Sequence, residues 1–302
     1  MIYKFITNKP ELAKYAVSCG VKHIFVDMEY IGKDERQGHL DTHRARHTLD
    51  DVRKIKAAIT KTENGSDSKA KADLLVRINP IYDGSPAEVD AVIGAGADII
   101  MLPMFTNSEE VGFFIDLVDG RARISLLLET PQALVRLDEI LEHHADIHEI
   151  HFGLNDMHLG LGLDFMFEVL TGGLVEFAAE RIRMVSSEIR FGFGGVARIG
   201  EGSVPAEMVL GEHVRLGSEM VILSRTFHQN AETVKELEQM INLKEELVKL
   251  DECIAGHRAG EGRLLLGNKV ELVEAVRGVL GGWREGKKER QWDFSYQIGE
   301  SG

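Results

Sequence analysis

Two carboxylates stand directly after apolar runs in the middle of the sequence. Glu129 follows the run SLLL, and Asp156 follows the run HFGLN. A carboxylate that ends an apolar strand is costly to bury unless it is paired or bound to a cation. Two carboxylates on adjacent strands supply the oxygen ligands that Mg²⁺ or Mn²⁺ prefers. These positions therefore predict a divalent-metal site formed by Glu129 and Asp156.

Polar residues also end other predicted strands. They are Asp27, Glu29, Arg77, Asn79 and Asn155. A 2-oxo acid could chelate a metal through its carboxylate and keto oxygens, and the metal would then act as a Lewis acid that stabilises an enolate. Arg77 could stabilise that enolate or clamp a carboxylate. The alternative from spacing alone is a buried ion-pair network of Glu129, Asp156 and Arg77.

The elements that must position these residues are eight short apolar runs, each followed by a stretch with helical periodicity. This alternation predicts parallel strands with crossover helices. Several runs are apolar at consecutive positions, which is typical of strands buried on both faces. The predicted strands begin at Tyr3, His23, Leu74, Asp98, Arg123, Glu149, Ile189 and Glu219.

Eight such units favour a closed (β/α)₈ TIM barrel of the α/β class. A doubly wound sheet is the alternative, but the turn TNKPE after the first strand lacks the glycines of its phosphate loop. We predict a catalytic barrel over residues 1–250 and a C-terminal helical extension with a polar tail over 251–302. Helices are expected at 231–250 and 268–280, where they could cap the barrel or contact another subunit.

Five segments carry a family resemblance. FVDMEYIGK, LLVRINP, GAGADIIMLPMFTNSEEV, LLLET and HFGLNDMHLGLG, in this order, resemble the HpcH/HpaI aldolase and citrate lyase β-subunit family of the pyruvate/phosphoenolpyruvate barrel superfamily. The resemblance implies that Glu129 and Asp156 bind the metal and that Arg77 polarises the substrate. It also implies that the backbone around Gly153 to Asp156, which includes Asn155, binds the substrate carboxylate. Members typically use Mg²⁺, Mn²⁺ or Co²⁺ with pyruvate-like or acyl-CoA substrates.

The sequence departs from the aldolase branch at the residues that transfer protons in that branch. Tyr30 stands where that branch has a histidine after its Asp-x-Glu, and Leu127 stands where it has a glutamine. Gly94 corresponds to an aspartate before the fourth strand. We place Arg77, Glu29, Tyr30 and His43 in the predicted catalytic set, although the resemblance supports the metal site more strongly than any one reaction.

The long connection after the second strand is basic in an acidic chain. Lys33 and Arg36 in this connection suit recognition of a carboxylate, phosphate or CoA group. His39, His43 and His47 recur every fourth residue, so in a helix they would share one face. A solvated or substrate-facing helix is favoured over a second metal site, and His39 or His43 could act as a general base.

Two other groups of residues have a structural and a functional interpretation. Gly194 and Gly195, after the seventh strand, could form a backbone-lined wall against the substrate or could simply allow tight packing. A histidine group near the predicted start of the sixth strand would lie at the barrel end away from the site, and we interpret it as structural. It comprises His143, His144, His148 and His151.

The composition excludes several classes of protein. The chain has 302 residues and a formal net charge of −14, so the phosphate backbone of a nucleic acid or an anionic membrane would be repelled. Two cysteines give no disulfide framework, and no long apolar segment occurs. We therefore predict a cytoplasmic enzyme, expected to be a homo-oligomer, without nucleic-acid or membrane partners.

Taken together, these features predict a carbon–carbon lyase or aldolase that acts on a pyruvate- or oxaloacetate-like 2-oxo acid through a metal-stabilised enolate, with Mg or Mn as cofactor. The alternatives are a citrate-lyase-like enzyme acting on an acyl-CoA thioester and a barrel that has lost catalysis.

Overall fold

Eight parallel strands close into a barrel in the computed structural model of the chain. Each strand pairs with its sequence neighbour, and β8 pairs with β1. This confirms the predicted TIM barrel. The strands are β1 (Ile2–Ile6), β2 (His23–Asp27), β3 (Asp73–Arg77), β4 (Ile99–Leu102), β5 (Arg123–Leu128), β6 (Ile147–Phe152), β7 (Arg190–Phe193) and β8 (Met220–Ile222). The structure describes residues 1–32, 47–63, 71–224, 227, 231–260 and 262–289.

Helices cover the outside of the barrel. In the described residues they are α1 (Pro10–Cys19), α2 (Leu49–Glu63), α3 (Ser85–Gly94), α4 (Ser108–Val118), α5 (Pro131–Val135), α6 (Leu137–Ile140), α7 (Leu154–Gly160), α8 (Phe167–Thr171), α9 (Leu174–Val185), α10 (Ala206–Arg215), α11 (Val234–Met240), α12 (Leu243–Ala259) and α13 (Gly262–Glu289). Local signals begin and end several of them. For example, Pro10 opens α1, and Gly20 ends it with a φ of +113°.

The strands separate two apolar clusters. Outward-facing residues pack against the helices and form the larger cluster. The smaller cluster fills the barrel interior and contains Phe25, Leu75, Ile99, Met101 and Leu127. Because side chains alternate along a strand, residues two positions from these also face inward. Arg77 and Glu129 are therefore interior residues, and so is His151, the register partner of Leu127.

The barrel interior is polar toward the amino ends of the strands. Lys4 on β1 reaches across to β6, where its Nζ lies 2.7 Å from Oε2 of Glu149, and both side chains are fully buried. His23 stands nearby, with Nδ1 at 3.8 Å from Oε1 of Glu149. Burial alone would raise the pKa of Glu149, but the Lys4 ammonium and His23 bring it below its usual value. This buried pair links β1 to β6 across the barrel interior.

The C-terminal helices differ from the sequence expectation. The helix predicted over 231–250 is two helices, α11 and α12, because Asn242 begins a new helix by accepting the Glu245 N–H. The helix predicted over 268–280 is longer, spanning Gly262–Glu289. The division between residues 250 and 251 falls inside α12, and the domain boundary stays a prediction.

The last helix lies against the barrel of its own chain. Asn268 donates to the Met208 carbonyl of α10 at 2.9 Å, and Lys269 pairs with Glu176 of α9 at 2.6 Å. Trp283 contacts Phe165 edge to face, with ring centroids 5.0 Å apart. The last helix therefore covers part of the barrel, and contact with another subunit stays a prediction. No helix among the described residues is long and apolar enough to cross a membrane.

Gly192 marks the closest approach of β7 and β8. A Cβ on this residue would lie 2.8 Å from the Met220 Cβ and still closer to the Met220 backbone oxygen. We expect Gly192→Ala to lower the free energy of unfolding by about 3 kcal/mol, because a strand would have to move. Urea denaturation measures this change. Gly94→Ala, which meets no atom within 4 Å, is the matched control and should change stability by less than about 1 kcal/mol. Equal stability of the two variants would contradict the packing argument.

Candidate functional site

Arg77, the last residue of β3, is held by two carboxylates at the carboxyl end of β2. Its Nε and Nη2 donate to the two oxygens of Asp27, each at 2.8 Å, and Nη2 lies 3.3 Å from Oε2 of Glu29. The guanidinium carbon lies 5.7 Å from the ring centroid of Phe25. Register explains the contact, because Asp27 and Arg77 are direct partners in the β2–β3 ladder. The fork geometry fixes the orientation of the arginine.

The electrostatics keep Arg77 charged. Burial alone would lower its pKa, but Asp27 and Glu29 raise that pKa well above its usual value. The Nη1 nitrogen makes none of the three contacts with Asp27 and Glu29. Its two N–H groups are therefore the part of this fixed cation that can bind a substrate oxygen.

Glu129 follows the last residue of β5 and is 3% exposed. Its Oε1 accepts a hydrogen bond from the Met104 N–H at 3.2 Å. Met104 has a φ of +55°, a left-handed conformation that is uncommon outside glycine and often occurs at functional sites. Burial raises the pKa of Glu129 well above its usual value, and the charge of Asp156 raises it further, against the opposing effect of Arg77.

Asp156 lies in the first turn of α7, directly after β6. Gly153 precedes this helix and lies against Glu129. A Cβ on Gly153 would be 2.6 Å from the Glu129 Cβ and 2.9 Å from its Oε2. Glycine is thus required for the end of β6 to approach Glu129. The structure therefore brings the two predicted metal ligands, and the predicted residue Gly153, into one corner of the barrel mouth, with partly buried Asn155 beside them.

The donor set fits a hard divalent cation that keeps open positions. No cluster of three or more histidine, cysteine, aspartate or glutamate side chains suited to a metal occurs within the described ranges. Mg²⁺ and Mn²⁺ sites of this kind use one or two carboxylates and complete their shell with water and substrate oxygens. A cation beside Glu129 would offset both causes that raise its pKa, burial and the charge of Asp156. The two carboxylates are therefore typical of an open Mg²⁺ or Mn²⁺ site. They are not typical of a structural site in which protein side chains fill the whole coordination shell.

Asn79 fixes the start of the long connection after β2. Its Oδ1 accepts hydrogen bonds from the backbone N–H groups of Tyr30 and Ile31, at 2.9 and 3.0 Å, and its Nδ2 donates to Glu88. The Tyr30 side chain, at the position of the aldolase histidine, is 65% exposed. It lies on the surface of the connection, while Glu29 is buried against Arg77. The catalytic role assigned to Tyr30 stays a prediction.

The connection after β7 carries two of the predicted glycines. Gly195 has a φ of +91°, and a Cβ on it would lie 2.8 Å from Cε1 of Phe167, so both backbone and packing require glycine there. Gly194 is partly buried, and a Cβ on it would meet only Nε2 of His151, at 3.9 Å. Packing and backbone conformation thus explain the glycine at position 195, whereas a Cβ at position 194 would have room. The substrate-binding role of Gly194 and Gly195 stays a prediction.

Several predicted site residues lie outside the described residues. They are Lys33, Arg36, His39 and His43. His47, the last of that histidine row, is described, and its Nδ1 accepts the backbone N–H of Asp27 at 2.9 Å. The structure thus places one histidine of the row beside the Asp27–Arg77 pair.

The sequence did not assign roles to Asp27, Asn79, Met104 or His47. The first two were visible as polar residues at strand ends, a signal that marked them without giving their partners. The left-handed backbone of Met104 has no sequence signal, since methionine rarely adopts it. His151 was expected near the amino end of its strand, and this was wrong. It is the fifth of the six residues of β6.

Solved structures of other proteins share this fold. An HpcH/HpaI aldolase/citrate lyase family protein from Burkholderia cenocepacia J2315 has a TM-score of 0.60 and 12% identity, over 79% of this chain and 94% of that chain. An HpcH/HpaI aldolase from Desulfitobacterium hafniense DCB-2 has a TM-score of 0.56 and 16% identity, over 79% and 92%. The citrate synthase SbnG has a TM-score of 0.53 and 14% identity, over 79% and 94%.

These structures confirm the resemblance predicted from the sequence. At such low identities the likeness establishes the shared fold. No protein-family model matches the sequence, and no curated protein matches it. The reaction must therefore be argued from the site itself.

Proposed function

We propose that this protein is a carbon–carbon lyase or aldolase that acts on a pyruvate- or oxaloacetate-like 2-oxo acid with the help of Mg²⁺ or Mn²⁺. One observation carries the proposal. Glu129 is buried at the barrel mouth with a raised pKa, close to the charge of Asp156 and to Arg77. A buried carboxylate in this position is stabilised by a bound cation.

The orientation of Glu129 supports a role as metal ligand. Its Oε1 is fixed by the Met104 N–H, and its Oε2 lies toward Gly153, three residues before Asp156. Only glycine at position 153 leaves room for this arrangement. One oxygen is thus held by the backbone, and the other faces the segment that carries Asp156, where a shared cation would bind.

The proposed chemistry divides the work between cation and arginine. A divalent ion held by Glu129 and Asp156 would supply a Lewis acid for the carbonyl of the 2-oxo acid. Arg77 would donate from Nη1 to the oxygen on which negative charge develops when the neighbouring carbon loses a proton or a carbon–carbon bond breaks. Asp27 keeps this donor in position through its two hydrogen bonds.

Proton exchange at C3 of pyruvate tests the proposal without knowledge of the second substrate. Pyruvate in D₂O with protein and Mg²⁺ should lose its methyl signal in proton NMR, because reversible removal of a C3 proton introduces deuterium. Glu129→Gln should not catalyse this loss. Adding aldehydes should then yield new carbon–carbon bonded products. Absence of exchange by the wild-type protein with Mg²⁺ would contradict the proposal.

A further inference from the structure

His151 occupies an interior position directly below the candidate site. It pairs in register with Leu127 of β5, a member of the interior apolar cluster. Glu129 lies two residues beyond Leu127 and therefore one inward-facing position closer to the barrel mouth. In a TIM barrel the inward side chains stack in layers from alternate strands. His151 thus lies deeper in the barrel interior than Glu129.

The neighbouring strand places no side chain above His151. In the β6–β7 ladder His151 is the partner of Gly192, and the next inward-facing position of β7 is Gly194. A Cβ on Gly194 would lie 3.9 Å from Nε2 of His151 and would meet no other atom within 4 Å. Neither glycine puts a side chain between the imidazole and the barrel mouth. His151 is therefore a polar group on the floor of the site.

The imidazole is uncharged and incompletely bonded. His151 is 1% exposed, and its Nδ1 is buried without a hydrogen-bond partner among the described residues. Burial, with the nearby charges of Lys4 and Arg77, holds its pKa well below the usual value. A neutral imidazole has one nitrogen that donates and one that accepts. The nitrogen that a ligand could reach is Nε2, because it is the one that lies toward Gly194.

We propose that His151 is a specificity-determining residue that binds a hydroxyl group on C3 of the 2-oxo acid. This inference rests on the proposed function. The carboxylate and keto oxygens of the acid would face the cation and Arg77, which leaves the C3 substituent as the part that can reach the floor. A hydroxyl both donates and accepts, so it can bond to Nε2 in either tautomer of the imidazole. A methyl group of the same size satisfies neither.

Two isosteric ligands test this inference. Hydroxypyruvate carries a hydroxyl on C3, and 2-oxobutyrate carries a methyl group there. Calorimetric titration of the Mn²⁺-saturated protein should show at least about tenfold tighter binding of hydroxypyruvate, since a site that bonds a hydroxyl rejects an analogue without it. In His151→Phe the ratio should fall to about one. His151→Gln, whose amide can replace Nε2, should retain part of the preference.

The outcomes separate this inference from the proposed function. Equal binding of the two ligands by the wild-type protein, together with measurable binding of pyruvate, would overturn the role of His151 alone. An unchanged ratio in His151→Phe would overturn it as well. If pyruvate and both analogues fail to bind the Mn²⁺-saturated protein, the proposed function fails and this inference falls with it. The wild-type ratio keeps the test decisive even if His151→Phe does not fold.

Discussion

Replacing Arg77 by lysine is expected to reduce the rate of pyruvate C3 proton exchange by a factor of about 100 to 1,000, the usual effect of removing one donor to a developing oxyanion. Lysine keeps the positive charge that pairs with Asp27 and Glu29. It lacks the planar guanidinium, which donates one hydrogen bond to each Asp27 oxygen. It therefore cannot present a fixed Nη1. The rate is measured by proton NMR in D₂O with Mg²⁺ at saturating pyruvate.

Mn²⁺ binding gives the control for this variant. Arg77 contacts neither Glu129 nor Asp156 by a hydrogen bond in the described structure, so Arg77→Lys should bind the ion as the wild-type protein does. Arg181→Lys, on the outer surface of α9 and paired with Asp138, should leave both properties unchanged. Wild-type exchange rates in Arg77→Lys would show that the fixed guanidinium is not part of the reaction.

Replacing Glu129 by glutamine is expected to make the metal-free protein more stable at neutral pH while removing its function. The pKa of Glu129 is raised by burial and by Asp156, so the ionised carboxylate destabilises the folded state. Glutamine has no charge and can still accept the Met104 N–H. Urea denaturation in the presence of a chelator measures the difference.

The pH dependence of this difference follows from the direction of the shift. Below about pH 4.5, the ordinary value for glutamate, Glu129 is protonated in both folded and unfolded chains. As the pH rises toward the higher folded-state pKa, the unfolded chain loses this proton first, and the wild-type protein loses stability relative to the variant. The advantage of Glu129→Gln should thus appear at neutral pH and vanish in acid. A variant less stable than wild type at pH 7 would contradict a raised pKa.

The barrel could be predicted because its signals are local. Each strand is a short apolar run, and each is followed by a helical pattern, so eight units could be counted without any knowledge of contacts. The C-terminal helices were harder to predict. The amphipathic pattern over 231–250 continues through Asn242, and only the capping hydrogen bond of that residue shows where the second helix begins.

The site could be predicted in part for a related reason. Glu129 and Asp156 follow adjacent strands of a parallel barrel, which brings their ends together whatever the register. The Asp27–Arg77 pair depends on the register of β2 and β3, which the sequence does not state. His151 was misplaced because the predicted strand boundary was late, and a shift of two residues moves a side chain from one end of a strand toward the other.

Binding of Mn²⁺ tests the central claim most directly, because it asks whether Glu129 and Asp156 hold a cation. We predict one ion for each chain in an electron paramagnetic resonance titration, bound more tightly when pyruvate is present. Glu129→Gln and Asp156→Asn should each weaken Mn²⁺ binding at least about 100-fold. Removing a residue that only hydrogen-bonds to a metal ligand can already weaken binding by that factor. Glu139→Gln, an exposed carboxylate on α6, should bind as wild type does. Unchanged Mn²⁺ affinity in both Glu129→Gln and Asp156→Asn would contradict the account.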